Sequence, residues 1–118
     1  MVMDDNFSIE VEQLPQRNIA IVRVAGYLDA HTFEQLEEAM SDLFGKKNYR
    51  VIVDLSKVQY ISSAGAGVFI GALSEAQEHN GNIVLMNPTP NVREVFDLLG
   101  LTQIFHIVQD AKTALAVF

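Results

Sequence analysis

A chain of 118 residues, 49% of them hydrophobic, is long enough for one compact domain and too short for two, so a single domain over residues 1–118 is expected. No apolar run approaches the roughly 20 residues that cross a bilayer, and the absence of cysteine excludes a disulfide framework, thiolate metal ligands and a cysteine nucleophile. A formal charge of -7, with only eight Lys and Arg along the chain, argues against a face for nucleic acid and favours a protein partner.

In chain order, residues 7–14 alternate apolar Phe7, Ile9 and Val11 with polar Ser8, Glu10 and Glu12, the period of a strand with one wet face. Pro15-Gln16-Arg17-Asn18 is turn chemistry, and residues 19–24 supply a second, deeper strand, so an edge hairpin is expected. Gly26 to Thr32 should break that strand. Asp29 or Thr32 can accept from the first free amides of a following helix, and Thr32 with Gln35 fits a capping box. Leu36, Ala39, Met40 and Leu43 then mark a helix with Glu34, Glu37, Glu38 and Asp42 on its outer face.

Gly45-Lys46-Lys47-Asn48 stops this helix. Residues 51–55 are nearly continuous apolar sequence, as in a parallel strand covered on both faces, with Asp54 near its end. The small residues 62–67 lead into a second helix closed by Gly81. Residues 83–86 form another short buried strand, and Thr89 and Pro90 open a third helix closed by Gly100. Residues 104–108 read as a last strand, and Asp110 caps a terminal helix. Strands alternating with helices after a hairpin predict an α/β fold: a mixed sheet of four to five strands, antiparallel at one edge, covered by about four helices. His31, His79 and His106 fall at no metal-ligand spacing, so neither a metal nor a cofactor is expected. Residues 1–6 lack the basic and apolar regions of a secretion signal, and a cytoplasmic location with no membrane contact is expected.

Chemistry concentrates at residues 60–70. A phosphate on Ser63 would meet free amides and the positive end of a helix dipole. It would also add about two negative charges near Asp29 or Asp54, if the fold brings those loops together. Serine before a helix also serves as a plain cap, its commonest use there. Gly65, Ala66 and Gly67 either expose loop amides to a ligand or let the helix approach the sheet closely. Asp54 belongs to the functional end of a parallel strand or caps the next loop. Val68 and Phe69 offer a partner patch or core packing. A hydrolase elbow would need Gly-x-Ser-x-Gly, whereas Ile61 stands two residues before Ser63. A phosphate-binding loop would need a Lys after the glycines, and the first cation after Gly65 is Arg93. Enzymatic activity is not expected.

The stretch DLSKVQYISSAGAGV, residues 54–68, resembles the signature of the STAS domain as found in bacterial anti-sigma factor antagonists. Gly26-Tyr27-Leu28-Asp29 is similar to the family's Gly-x-Leu-Asp before the first helix, and residues 92–101 resemble its third helix. The resemblance implies a regulatory protein that binds an anti-sigma factor, often a serine kinase. Phosphorylation weakens that complex and a serine phosphatase restores it. Position by position, the phosphoacceptor falls on Ser63, with Asp29, Asp54, Ser62, Gly65, Ala66 and Gly67 as the partner or ligand surface. Ser62 stands where the family has Asp, and Ala64 where it has a second Ser or Thr. Ser62 is thus a candidate second acceptor. Similar domains also serve, without phosphorylation, in modules that sense ligands or support other signalling complexes.

Overall fold

The structure, a computed structural model, describes residues 7–118; the reading of residues 1–6 as lacking a secretion signal lies outside it. The alternating N-terminal segment forms β1 (Ser8–Leu14), which pairs antiparallel with β2 (Ile19–Leu28) across a four-residue turn. Asn18 closes that turn at φ 53°, a left-handed conformation that asparagine tolerates better than most residues. β3 (Arg50–Ile61), β4 (Asn82–Met86) and β5 (His106–Val108) then add in parallel, giving the sheet order β1-β2-β3-β4-β5.

The connecting helices are α1 (Phe33–Gly45), α2 (Ser63–Glu78) and α3 (Pro90–Leu98), followed by the C-terminal α4 (Ala111–Val117). Each parallel strand adds on the same side of the last, so crossovers of one hand place α1, α2 and α3 on one face. There Leu36, Met40, Phe69, Phe96, Val22, Val53 and Leu85 share the main core. Phe69 and Phe96 meet edge to face at 6.4 Å, and each buried side chain of this size stabilises the fold by about 1.5–3 kcal/mol.

The opposite face is covered only at its base. Ala114 of α4 packs with Ile19, Ile21, Ile52 and Val84, and Leu115, Val117 and Phe118 flank them. Arg50 donates to the Phe118 carbonyl and lays its guanidinium 5.2 Å from the ring centroid, while Arg17 donates to the Leu115 carbonyl. Asp110 accepts from the Thr113 N–H at 2.8 Å, which holds its carboxyl below the ordinary carboxylate range. Thr89 caps α3 by accepting from the Val92 N–H, with Pro90 at the first helical position as read from the sequence.

Four expectations need correction. β2 does not stop before Gly26 but runs on to Leu28, and β3 continues seven residues beyond Asp54. Both extensions carry register shifts, between Arg23 and Ala25 and between Gly26 and Tyr27, which break the alternation that marks a strand. The last strand is only His106–Val108, because Leu101–Gln103 forms a 3-10 turn that sends Phe105 into the core. The capping box of Thr32 and Gln35 does not form. The Thr32 hydroxyl turns back to the Tyr27 carbonyl, and the first amides of α1 bond to backbone oxygen, Thr32 and Phe33 to Asp29 and Gln35 to Thr32.

Candidate functional site: the tip of β2 and β3

The last ladder pairs are Ser8 with Ala25 on one side and Asp54 with Met86 on the other. Beyond them β2 and β3 continue alone, and Gly26 to Leu28 and Val58 to Ile61 form a two-stranded tip. Gly26 has φ 100°, a conformation other residues reach only under strain, so glycine is what allows the strand to kink here. Along β3 the kinks set the inward side chains at a spacing of three: Leu55, Val58 and Ile61 are buried, while Ser56, Lys57, Gln59 and Tyr60 are exposed. Tyr27 and Tyr60 pair across the tip with ring centroids 6.1 Å apart and stay 51% and 48% exposed.

Ser62 follows directly from this ladder. Its N–H donates to the Leu28 carbonyl at 2.9 Å, and its Oγ accepts from the Gly65 N–H at 3.2 Å, so its hydroxyl is engaged as the cap of α2. Ser63 is the first residue of α2 and exposed. The N–H groups of Ser63 and Ala64 have no intrahelical acceptor, and no acidic residue occupies the first turn. The site therefore offers free donors and positive helix-end potential without a resident anion.

Leu28 and Ile61 are cross-strand partners, so Asp29 and Ser62 leave the ladder side by side, about one strand spacing of 4.8 Å apart. The Asp29 loop is fixed from within. Its N–H donates to the Thr32 Oγ1 at 3.0 Å, its Oδ1 accepts from the His31 N–H at 2.9 Å, and the Thr32 hydroxyl donates to the Tyr27 carbonyl at 2.7 Å. Thr32 is the one buried polar side chain among the described residues, and every hydrogen-bonding atom it has is used in this tie.

The structure thus brings Asp29, Ser62 and Ser63 together, with Gly65 hydrogen-bonded to Ser62 and Gly67 one turn along α2 from Ser63, and leaves Asp54 elsewhere. Asp54 is not at a strand end. It lies within β3, paired with Arg23 and with Met86 where β4 ends, roughly 20 Å along β3 from Ser62, and its Oδ1 accepts from the Ser56 N–H at the first kink. Gly65 is buried: a Cβ there would lie 2.8 Å from both Leu28 Cγ and the Leu28 carbonyl oxygen, so its bareness seats α2 on the tip. Ala66 is 1% exposed and belongs to the core with Val68 and Phe69, so none of the three forms a surface. Gly67 is exposed and a Cβ would meet nothing within 4 Å, which removes the close-packing reason offered for it. The Thr32 tie and the tyrosine pair carry no strong signal in the sequence, although threonine three residues after Asp29 is a spacing that favours such local bonds.

Among the described residues no helix is long and apolar enough to cross a membrane. The STAS domain family model matches residues 8–114. The anti-sigma-B factor antagonist of Listeria monocytogenes is 32% identical over 102 residues, covering 86% of this chain and 89% of its own length. The structure of an anti-sigma factor antagonist from Mycobacterium paratuberculosis superposes with a TM-score of 0.85 at 22% identity, covering 99% of this chain and 97% of that one. The anti-sigma factor antagonist SpoIIAA in its unphosphorylated form aligns with a TM-score of 0.70 at 25% identity, over 93% and 94% of the two chains. The Bacillus cell fate determinant SpoIIAA in its phosphorylated form aligns at 0.72 and 24%, over 94% and 100%. With the five-stranded mixed sheet, the four helices and the match over nearly all described residues, the chain belongs to the STAS domain family.

Proposed function

We propose that this protein is an anti-sigma factor antagonist that binds an anti-sigma factor with serine kinase activity through the tip of β2 and β3 and the start of α2, and that phosphorylation of Ser63 releases it. The observation that carries the reading is the unequal state of the two hydroxyls: Ser62 Oγ is engaged with the Gly65 N–H, whereas Ser63 stands exposed at a helix N-terminus with unused amides. Transfer of the ATP γ-phosphoryl group to Ser63 Oγ, with loss of the hydroxyl proton and release of ADP, would place about two negative charges beside Asp29. A partner seated on this tip would then face repulsion and bulk together. A serine phosphatase would return Ser63 by hydrolysis.

The test is phosphorylation and binding with the purified anti-sigma factor kinase from the same genome. ATP should add one phosphate, mapped to Ser63 by mass spectrometry. Ser63→Ala should bind and stay unmodified, and Ser63→Asp should weaken binding about 100-fold, equivalent to about 2.7 kcal/mol. Ser62→Ala should lose only the cap, about 1 kcal/mol of stability, and still accept phosphate at Ser63. Binding indifferent to ATP and to charge at Ser63 would favour a STAS module without a phosphorylation cycle, the reading to which Ser62 and Ala64 at the flanking positions lend support.

A further inference from the structure

The free edge of the sheet lies along β1. This strand pairs only with β2, over seven residues from Ser8 to Leu14 in unbroken register. It contains neither a bulge nor a proline within its length, two of the devices that usually blunt an exposed edge. Alternate N–H and C=O groups along it point outward without a ladder partner among the described residues.

α1 does not close over this edge. A groove of about 420 Å³ runs between them, lined by Ile9, Val11, Glu34, Glu38, Ala39 and Asp42. Its floor is apolar, with Val11 44% exposed. Its wall is a row of carboxylates at positions 34, 38 and 42, one per turn of α1. None of these acids is ion-paired: the salt bridges among the described residues are Arg23 with Glu12 and Arg93 with Asp97.

We propose that this edge accepts an extended segment of a partner protein, rich in Lys or Arg alternating with β-branched residues, as a sixth strand beside β1. The open backbone supplies the ladder, and the basic side chains lay their apolar stems on Ile9 and Val11 while their heads reach the α1 carboxylates. A second copy of the chain does not fit the role, because two β1 edges would bring Glu10 and Glu12 against their own equivalents. The inference does not rest on the proposed phosphorylation of Ser63.

The test uses the full chain, labelled for amide NMR, with the peptide acetyl-Lys-Val-Lys-Val-Lys-Val-Lys-amide as probe. Acetyl-Lys-Pro-Lys-Pro-Lys-Pro-Lys-amide is the control, equal in charge but with three of its seven residue N–H groups removed, all on the same edge of an extended chain. The valine peptide should shift resonances of residues 8–14 and 34–42 and slow exchange of the outward β1 amides about tenfold. The proline peptide should do neither. Glu38→Lys with Asp42→Lys, both at exposed positions, should weaken the valine peptide about tenfold while circular dichroism stays unchanged. Equal binding of the two peptides would reduce the effect to charge attraction and overturn the proposal. So would shifts centred away from β1, outward β1 amides already protected in the free protein, or a dimer joined through β1.

Discussion

The base and the tip of the sheet are built on different principles. At the base, residues 51–53 of β3 are covered on both faces, by α1 to α3 on one side and by α4 on the other, and stability comes from many interchangeable apolar contacts. At the tip, only β2 and β3 remain, one face is open, and position depends on a few specific contacts: the Ser62 N–H on the Leu28 carbonyl, the Thr32 hydroxyl on the Tyr27 carbonyl, and Gly65 against Leu28. Thr89 adds one more, donating through Oγ1 to the Val58 carbonyl at 3.3 Å. The base therefore sets whether the chain folds, and the tip sets where Ser63 and Asp29 stand. Damage to the first should appear as lost stability, and damage to the second as a displaced site on an intact fold.

The sharpest way to break the base is Phe69→Ala, which removes a fully buried ring packed edge to face on Phe96. It should cost about 3–5 kcal/mol in urea unfolding, while any molecules still folded keep native resonances at Asp29 and Ser63. A smaller and more local effect is expected of Gly65→Ala. The added methyl would press on the Leu28 carbonyl, a backbone atom that cannot rotate away, and should cost about 1–3 kcal/mol with the largest amide shifts at residues 28–32 and 61–66. Gly67→Ala, two residues on, should do the reverse. With open space around it and a better helix former in place, stability should rise by up to about 1 kcal/mol without shifts at Asp29. If Gly65→Ala and Gly67→Ala behaved alike, the distinction between a seated and a free side of α2 would collapse.

How far this division could be read beforehand depends on periodicity. The hairpin, the short strand at residues 82–86, the caps at Thr89 and Asp110 and the αL glycine at position 100 all follow from local chemistry that tertiary structure left alone. The tip did not, because its kinks replace a period of two by a period of three. Leu55, Val58 and Ile61 face inward at a spacing that a strand does not normally show. The apolar run of residues 51–55 therefore reads as a complete strand with Asp54 near its end, whereas the strand runs on to Ile61. Gly65 and Gly67 look equivalent in the sequence, and only the approach of Leu28 separates them. The spacing of Thr32 and Gln35 fits a cap for α1, but nothing in the sequence shows that the Tyr27 carbonyl of β2 comes within reach of the Thr32 hydroxyl.

The unbroken strand order has a consequence for how the chain acquires its shape. Every strand pairs with the one made just before it, so the sheet can grow from the hairpin outward as the polypeptide emerges, without a strand having to wait for a distant partner. Of the described elements, the last to arrive is α4, on Ile52 and Val84. Until α4 has emerged, a nascent chain with its helical face already closed would carry Ile19, Ile21, Ile52 and Val84 as an uncovered apolar patch on the other side of the sheet.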